Sequence, residues 1–268
     1  MNVRELRRMY ELESTYWWFV GRRDVIRVWL EGLRPDLPPT PQILDVGCGT
    51  GGNAMLLQEF GRVTGSDIAP EALAFCRERG LEDLIQCSGD GLTAPDEAYD
   101  LVTSFEVFEH VENDRLAARE AYRVLKPGGK LLVTVPAYAW LWSEHDVALG
   151  HRRRYARREL IGLLEDAGFE IERLSHCVTL LLPTTVLFRV LQKAARALHI
   201  GGGGEPQSGL VILPRPVSAL FAWTLRVEAA LLRHMNLPWG VTLIARATRK
   251  ADAGRYARTE RQTSSQRE

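Results

Sequence analysis

Apolar positions change their spacing along this chain in a regular way. From residue 42 onward, short apolar runs alternate with stretches whose apolar residues recur at helical spacing. The runs are QILDVGC (42–48), RVTGSDI (62–68), LIQCSGD (84–90), the start of YDLVTSFEVFEHV (99–111), KLLVTVPAY (130–138), FEIERLSHC (169–177) and GVTLIARATRK (240–250). Residues 52–60, 70–80, 112–125 and 157–167 read as the helices between them. Runs this apolar suit strands covered on both faces, and the alternation predicts an α/β fold with a mostly parallel sheet. KPGG (126–129) predicts a turn, and Gly168 a helix C-cap.

Two segments break the rhythm. Residues 4–33 read as helical, carry the aromatic cluster YWWF (16–19), and are set off by the proline-rich RPDLPPTP (34–41). Residues 178–238 hold two amphipathic helical stretches, around 184–199 and 214–235, joined by GGGGEPQSG. The polar end, 251–268, predicts a disordered tail. The sequence has no internal repeat.

Composition changes little in this picture. A chain of 268 residues, 46% hydrophobic and 25% charged, fits one large soluble domain or one domain with an insertion. Its zero net charge conceals a polarity: residues 86–121 hold nine acidic side chains against two basic, and residues 177–250 nine basic against two acidic. The cysteines Cys48, Cys76, Cys87 and Cys177 form no CxxC pair, which points away from a disulfide framework or zinc knuckle and towards a reducing cytoplasm. MNVRELRRMYELE has no apolar run of the secretory kind, so no signal peptide is expected. The longest apolar run, Val178 to Phe188, is interrupted by Pro183 and too short to span a bilayer.

The candidate chemistry begins in LDVGCGTGG, which fits GxGxxG through Gly47, Gly49 and Gly52. Such a loop turns a strand tightly into a helix and lets a ligand approach bare backbone. Alone it fits nicotinamide and flavin domains equally well. Three acids at strand ends narrow it. Asp45 lies two residues before the first glycine, where a pyrophosphate would be repelled and a cation welcomed. Asp67 can accept from two ribose hydroxyls, and Asp90 from an adenine amino group. The set suits a ligand with ribose, adenine and a positive charge.

With ILDVGCGTGGN, GSDIAPEAL, CSGDG, YDLVTSFEVFEHV and RVLKPGGKLLVTVP in this order, the chain resembles class I S-adenosylmethionine (SAM)-dependent methyltransferases, in the branch of the ubiquinone-type O-methyltransferases. The resemblance covers residues 42–177 and 240–250. It implies a Rossmann-like, seven-stranded, mostly parallel sheet with a helical insertion between strands 6 and 7. SAM would lie over the carboxyl ends of strands 1 to 4. Gly47, Gly49 and Gly51 would line its methionine part, Asp67 and Ile68 its ribose, Asp90 and Gly91 its adenine. Phe105 and Glu106 would border the sulfonium. An N-terminal helix often closes over the cofactor in this family. Residues 1–41 are therefore expected to be a helical lid and linker, with Trp17, Trp18 and Arg22 as its contacts. Residues 42–250 are the expected catalytic domain.

Methyl transfer from a sulfonium needs an aligned nucleophile that loses its proton. EVFEHV offers Glu106, Glu109 and His110 at the end of strand 4. Relatives that methylate ubiquinone precursors or small-RNA 2′-hydroxyls carry ExxEH there and can hold a divalent ion. In the RNA enzymes a later histidine completes the site, and His151 occupies a similar place here. The resemblance thus implies Glu106, Glu109, His110 and His151 as ligands of Mg²⁺ or Mn²⁺. His110, His151, Glu109 and His145 are the catalytic candidates, His145 as a base held by neighbouring Asp146. Arg152, Arg153 and Arg154 are read as an acceptor clamp or as a solvated face. His176 is assigned to strand 6, and His199 and His234 to surface helices.

The insertion 178–238 is expected to serve as a substrate cover, a homodimer interface, or a basic and apolar contact with a membrane surface. Nucleic acid is a poor partner for a neutral chain without a basic stripe. The expected activity is methyl transfer to a small or lipid-linked acceptor, most naturally at oxygen. The alternatives are metal-dependent methylation of an RNA hydroxyl, a nicotinamide dehydrogenase, and an inactive SAM-binding module.

Overall fold

Seven strands form one sheet in the computed structural model, which describes residues 3–197 and 213–250. They are β1 (Gln42–Val46), β2 (Arg62–Asp67), β3 (Leu84–Gln86), β4 (Tyr99–Phe105), β5 (Leu125–Pro136), β6 (Phe169–Cys177) and β7 (Thr242–Arg249). Their order is β3-β2-β1-β4-β5-β7-β6. Strands β3, β2, β1, β4 and β5 pair in parallel, and β7 runs antiparallel to both neighbours. The sheet is Rossmann-like, as the sequence led us to expect.

Helices cover both faces, which is why the central strands lack polar alternation. One core packs Ile43, Leu101, Leu132 and Ile244 against helix α2 (Trp17–Leu33). The other packs Leu44, Val102, Val133 and Leu243 against α5 (Asp114–Val124) and α7 (Arg157–Asp166). The order in which strands are added switches from one side of β1 to the other at β4, so a crevice opens at the carboxyl ends of these two parallel strands.

Several boundaries differ from the expected ones for local reasons. The N-terminal helical stretch is two helices, α1 (Val3–Leu12) and α2, because Tyr16 is extended ahead of α2. The first βα helix, α3, ends at Leu57 (Gly52–Leu57), and β3 stops at Gln86 because Gly91 N–H bonds back to Ser88 O and turns the chain. Asp90 therefore stands on a turn. Helix α4 runs Pro70–Glu78. Helix α6 (Glu144–Leu149), unanticipated, lies inside the loop after β5 and starts with a capping box between Ser143 and Asp146.

The insertion contains α8 (Leu182–Ala197) and α9 (Arg215–Leu232). Helix α9 lies along α2: Leu225 is so close to Gly21 that a Cβ there would come within 2.4 Å of its Cδ1. Leu225, Ala229 and Leu232 are buried, so this half of the insertion is core. The C-terminal half of α2 is core too, with Trp29, Leu30 and Leu33 fully enclosed. No helix among the described residues is long and apolar enough to cross a membrane. The GGGG segment, His199 and the tail 251–268 lie outside the described residues.

Candidate active site

The glycine loop sits where β1 meets the crevice. Gly47, Gly49 and Gly51 have φ of +67°, +56° and +86°, the left-handed region that side chains disfavour. Gly47 is also close-packed: a Cβ would come within 2.4 Å of Val107 in the loop after β4. The glycine loop and EVFEHV therefore touch, though they are 60 residues apart in the chain.

Beneath the loop, Asp45 is buried. Its Oδ1 accepts from the Thr103 hydroxyl at 2.7 Å, and its Oδ2 is enclosed with no partner. Burial pushes this carboxyl up to about 7, with the charges of Asp67 and Glu13 adding to the effect. A buried carboxylate short of one partner fits a cationic ligand. Asp67 accepts from the backbone N–H of Gly49 and of Ala69, both at 2.9 Å, so the acid braces the loop from the end of β2. Ile68 beside it is 67% exposed, an apolar surface turned outward. Asp90 accepts from the Ser88 hydroxyl and from Asn113 N–H, and these bonds, the Ser88 one first, hold its carboxyl below the usual range. Beside Gly91 there is open space.

The N-terminal helices meet this loop. Met9 of α1 reaches Gly49, and the Glu13 carboxylate accepts from Thr50 Oγ at 2.6 Å and Arg79 Nη2 at 3.1 Å. Sequence reasoning missed Glu13, whose role depends on tertiary contacts alone. Arg22 of α2 lies over the Trp18 ring at 5.7 Å and pairs with Glu106 Oε1 at 3.3 Å. Trp18 thus stands beside the post-β4 loop, with Phe105 buried at the strand's end. Trp17 stacks edge-on against Phe221 of α9.

The loop after β4 and the loop after β5 converge. Glu109, His110 and His151 offer one ligand atom each, all within 4.8 Å of one another. Glu106 is not in this group; its carboxylate is turned to Arg22, and its own backbone has φ of +60°. The expected four-ligand set is thereby reduced to three. Glu109 is fully buried with both carboxylate oxygens unpartnered, and burial, then the Glu106 charge, raises its carboxyl well above the usual range. Burial, reinforced by the neighbouring His151, lowers His110 to about 4, so its imidazole is neutral at pH 7. Two unpartnered carboxylate oxygens beside a neutral imidazole suit a divalent cation.

Asp146 holds His151. Its Oδ1 faces His151 Nδ1 at 3.0 Å and accepts from Arg154 Nε at 2.7 Å, while Oδ2 accepts from Ser143 N–H and hydroxyl. Burial alone would raise this carboxyl, but the bonds from His151 and Arg154 outweigh it and hold it well below the carboxylate range. The His151 Nδ1–H is therefore directed at a carboxylate, leaving Nε2 towards Glu109 Oε1, 4.0 Å away. This corrects the expected pairing of His145 with Asp146. Adjacent residues on a helix point apart, whereas Gly150, at φ +73°, turns the chain so that His151 returns to Asp146. The His145 ring remains 6.4 Å from that of His151.

The three arginines, expected to act alike as a clamp or a solvated face, differ in burial: Arg152 is exposed, Arg153 half-buried and Arg154 buried. Arg154 is buried and also donates to Ala137 O. Arg153 donates to the carbonyls of Val111 and Glu112 and pairs with Asp114 at 2.8 Å. Arg152 donates from Nε to His110 O, and its N–H to Glu109 O. Arg152 and Arg153 thus staple the loop after β5 to the loop after β4, while Arg154 braces the loop after β5 from within. His176 lies in β6, buried, 3.0 Å from the Tyr138 hydroxyl, and His234 is exposed just beyond α9.

Residues 44–133 match a family described as a methyltransferase domain. The chain is 37% identical over 116 residues to the 2-methyl-6-phytyl-1,4-hydroquinone methyltransferase of Synechocystis, covering 41% of this chain and 35% of that protein. It is 38% identical over 100 residues to a ubiquinone biosynthesis O-methyltransferase of Xanthomonas oryzae, covering 35% of this chain and 42% of that protein. The chain spans about half the length, or less, of the curated relatives it matches. A SAM-dependent methyltransferase of Mesorhizobium loti shares the fold at a TM-score of 0.52 and 20% identity, over 82% of this chain and 96% of that one. The cyclase SpnF does so at 0.52 and 23%, over 84% and 81%. The fold therefore hosts more than one reaction.

Proposed function

This chain carries a class I S-adenosylmethionine-dependent methyltransferase domain, and from that premise we propose that it methylates an oxygen of a small or lipid-linked acceptor. The observation that carries the reading is Asp45, whose enclosed Oδ2 lacks a partner under the glycine loop. A cationic cofactor keeps that carboxyl ionised. Gly47, Gly49 and Gly51 would give it bare backbone, and Asp67 with Ile68, Asp90 with Gly91, Phe105, Glu106 and Trp18 are its proposed further contacts.

SAM supplies a methyl group already activated on sulfur. The chain's own task is to align the acceptor and take its proton. His151 presents Nε2 for this, fixed from behind by Asp146, with neutral His110 alongside. Glu109, His110 and His151 would also hold a divalent ion, and two imidazoles with one carboxylate lean towards Mn²⁺ rather than Mg²⁺. Such an ion would lower the pKa of an acceptor hydroxyl.

Two relatives, one named for a phytyl hydroquinone and one for ubiquinone biosynthesis, support a lipid-linked acceptor. So does the exposed apolar surface of α8 and α9, which would rest on a membrane surface or meet a second copy of the chain. All four cysteines are free thiols.

Calorimetric titration tests the cofactor: SAM should bind and NAD should not, and tighter binding of NAD would overturn the reading. Manganese titration tests the cluster. Wild type should bind one Mn²⁺ per chain, and Glu109→Ala and His151→Ala should not; full transfer to quinol acceptors in excess chelator would remove the metal from the proposal.

A further inference from the structure

Helix α8 is amphipathic in the unusual sense. At about 100° per residue, Leu187, Phe188, Val190 and Leu191 share one arc, and Leu182, Thr185, Val186 and Arg189 share the opposite one. The apolar arc faces outward: its residues are 59%, 52%, 56% and 58% exposed. The other arc is half-buried, and it includes the arginine. Arg189 Nη1 is enclosed and has no hydrogen-bond partner among the described residues.

A long, strongly charged side chain ordinarily turns to water and leaves the buried face to leucines. Here the order is inverted, and an enclosed guanidinium nitrogen without an acceptor is costly. Its surroundings add to that cost. Arg189 lies close enough to Arg154 and Asp146 for their charges to act on it, and burial, then Arg154, lowers it to about 10. Asp146 cannot relieve it, because both of its oxygens are taken by His151, Arg154 and Ser143. Near the loop carrying His151, one guanidinium, that of Arg154, is thus met by a saturated carboxylate, and a second, that of Arg189, has an unpartnered Nη1. An incoming anion would satisfy the second.

The outward arc says where that anion comes from. Helix α8 contains Arg189, Lys193 and Arg196 and no acidic residue. The one acid of α9, Glu228, is buried and accepts from Thr179 and Leu180 N–H. An exposed apolar arc on a helix bearing only positive charge is complementary to an anionic lipid surface.

We propose that Arg189 is a binding subsite for the acidic group, a phosphate or carboxylate, of an amphiphilic acceptor presented at a lipid surface. This rests on the reading of Glu109, His110 and His151 as the acceptor side of a methyltransferase. It adds a chemical requirement: the acceptor carries an anion within reach of its methylated oxygen and an apolar tail.

The test is calorimetric binding of decyl phosphate, below its micelle concentration, beside neutral decyl maltoside and inorganic phosphate. Wild type should bind decyl phosphate at least tenfold more tightly than either comparison ligand. Arg189→Met should weaken decyl phosphate by tenfold or more, as loss of a charge-assisted hydrogen bond does, and leave decyl maltoside unchanged. Should that variant melt early, Arg189→Gln keeps a polar end, drops the charge and should show the same loss. A variant affinity within twofold of wild type overturns the proposal. Inorganic phosphate binding as tightly as decyl phosphate overturns the amphiphile, and decyl maltoside doing so overturns the anion. SAM is titrated into the same samples. Binding of SAM without decyl phosphate refutes this subsite alone, and the converse refutes the methyltransferase reading alone.

Discussion

The Asp45 carboxyl makes cofactor binding depend on pH in a direction that can be worked out. In the free protein it titrates at about 7. A bound cation needs the ionised form, so below that pH binding must release a proton. About 1% of the carboxyl is ionised at pH 5 and about half at pH 7. The dissociation constant of SAM should therefore weaken about 50-fold from pH 7 to pH 5, equivalent to ~2.3 kcal/mol. Calorimetry in two buffers of different ionisation enthalpy reads both the affinity and the proton released. Asp45→Asn should bind weakly and lose the slope. An affinity constant within twofold across this range, or an unchanged slope in the variant, would refute the reasoning. The sign for stability is opposite to that of an ordinary acid. Because the folded pKa is raised, native protein holds the proton between about 4 and 7, and the contribution of Asp45 to stability falls as pH rises through that window.

Three further outcomes follow from the packing. Gly47→Ala should abolish SAM binding and lower stability by about 1–3 kcal/mol, since the new Cβ meets Val107 and φ is positive; thermal melting and SAM titration check it. Asp146→Asn should weaken Mn²⁺ binding by about 10–100-fold, because His151 loses its orienting carboxylate. It should also cost roughly 3–5 kcal/mol in urea unfolding, because Arg154 is left buried without its charge partner. Gly21→Ala should cost about 1–3 kcal/mol by driving α2 off Leu225, with Mn²⁺ affinity within twofold of wild type; urea unfolding and Mn²⁺ titration check it.

The sheet was legible because its central strands are apolar runs, β1 closed by Gly47 and β5 by Pro136, a pattern that burial on both faces imposes. The glycine loop and Asp45 were legible because a turn that needs positive φ leaves a fixed spacing of glycines. The wall opposite was harder to read. Ser143 and Asp146 carry a capping-box signal for α6, yet nothing local tells that Asp146 reaches His151 rather than His145; that depends on the turn at Gly150. Three consecutive arginines look alike in sequence, and only folding separates buried Arg154 from exposed Arg152. The packing of α9 into the core depends on Gly21 and Leu225, residues too far apart in the chain for any periodicity to link them. Glu106 fits the ExxEH spacing, but its claim on Arg22 comes from a helix that precedes the domain.

Strand β7 lies between β5 and β6 and follows both in the chain. Until it emerges, β5 presents an open edge and β6 has no strand to pair with. The loop bearing His151 connects those two strands, so the Glu109, His110 and His151 cluster stays unsupported until β7 is made. Such a nascent chain exposes the kind of edge that recruits neighbouring chains or chaperones. The order of strands thus sets a schedule for biogenesis: the glycine-loop side first, the side bearing His151 only when residue 249 has left the exit tunnel.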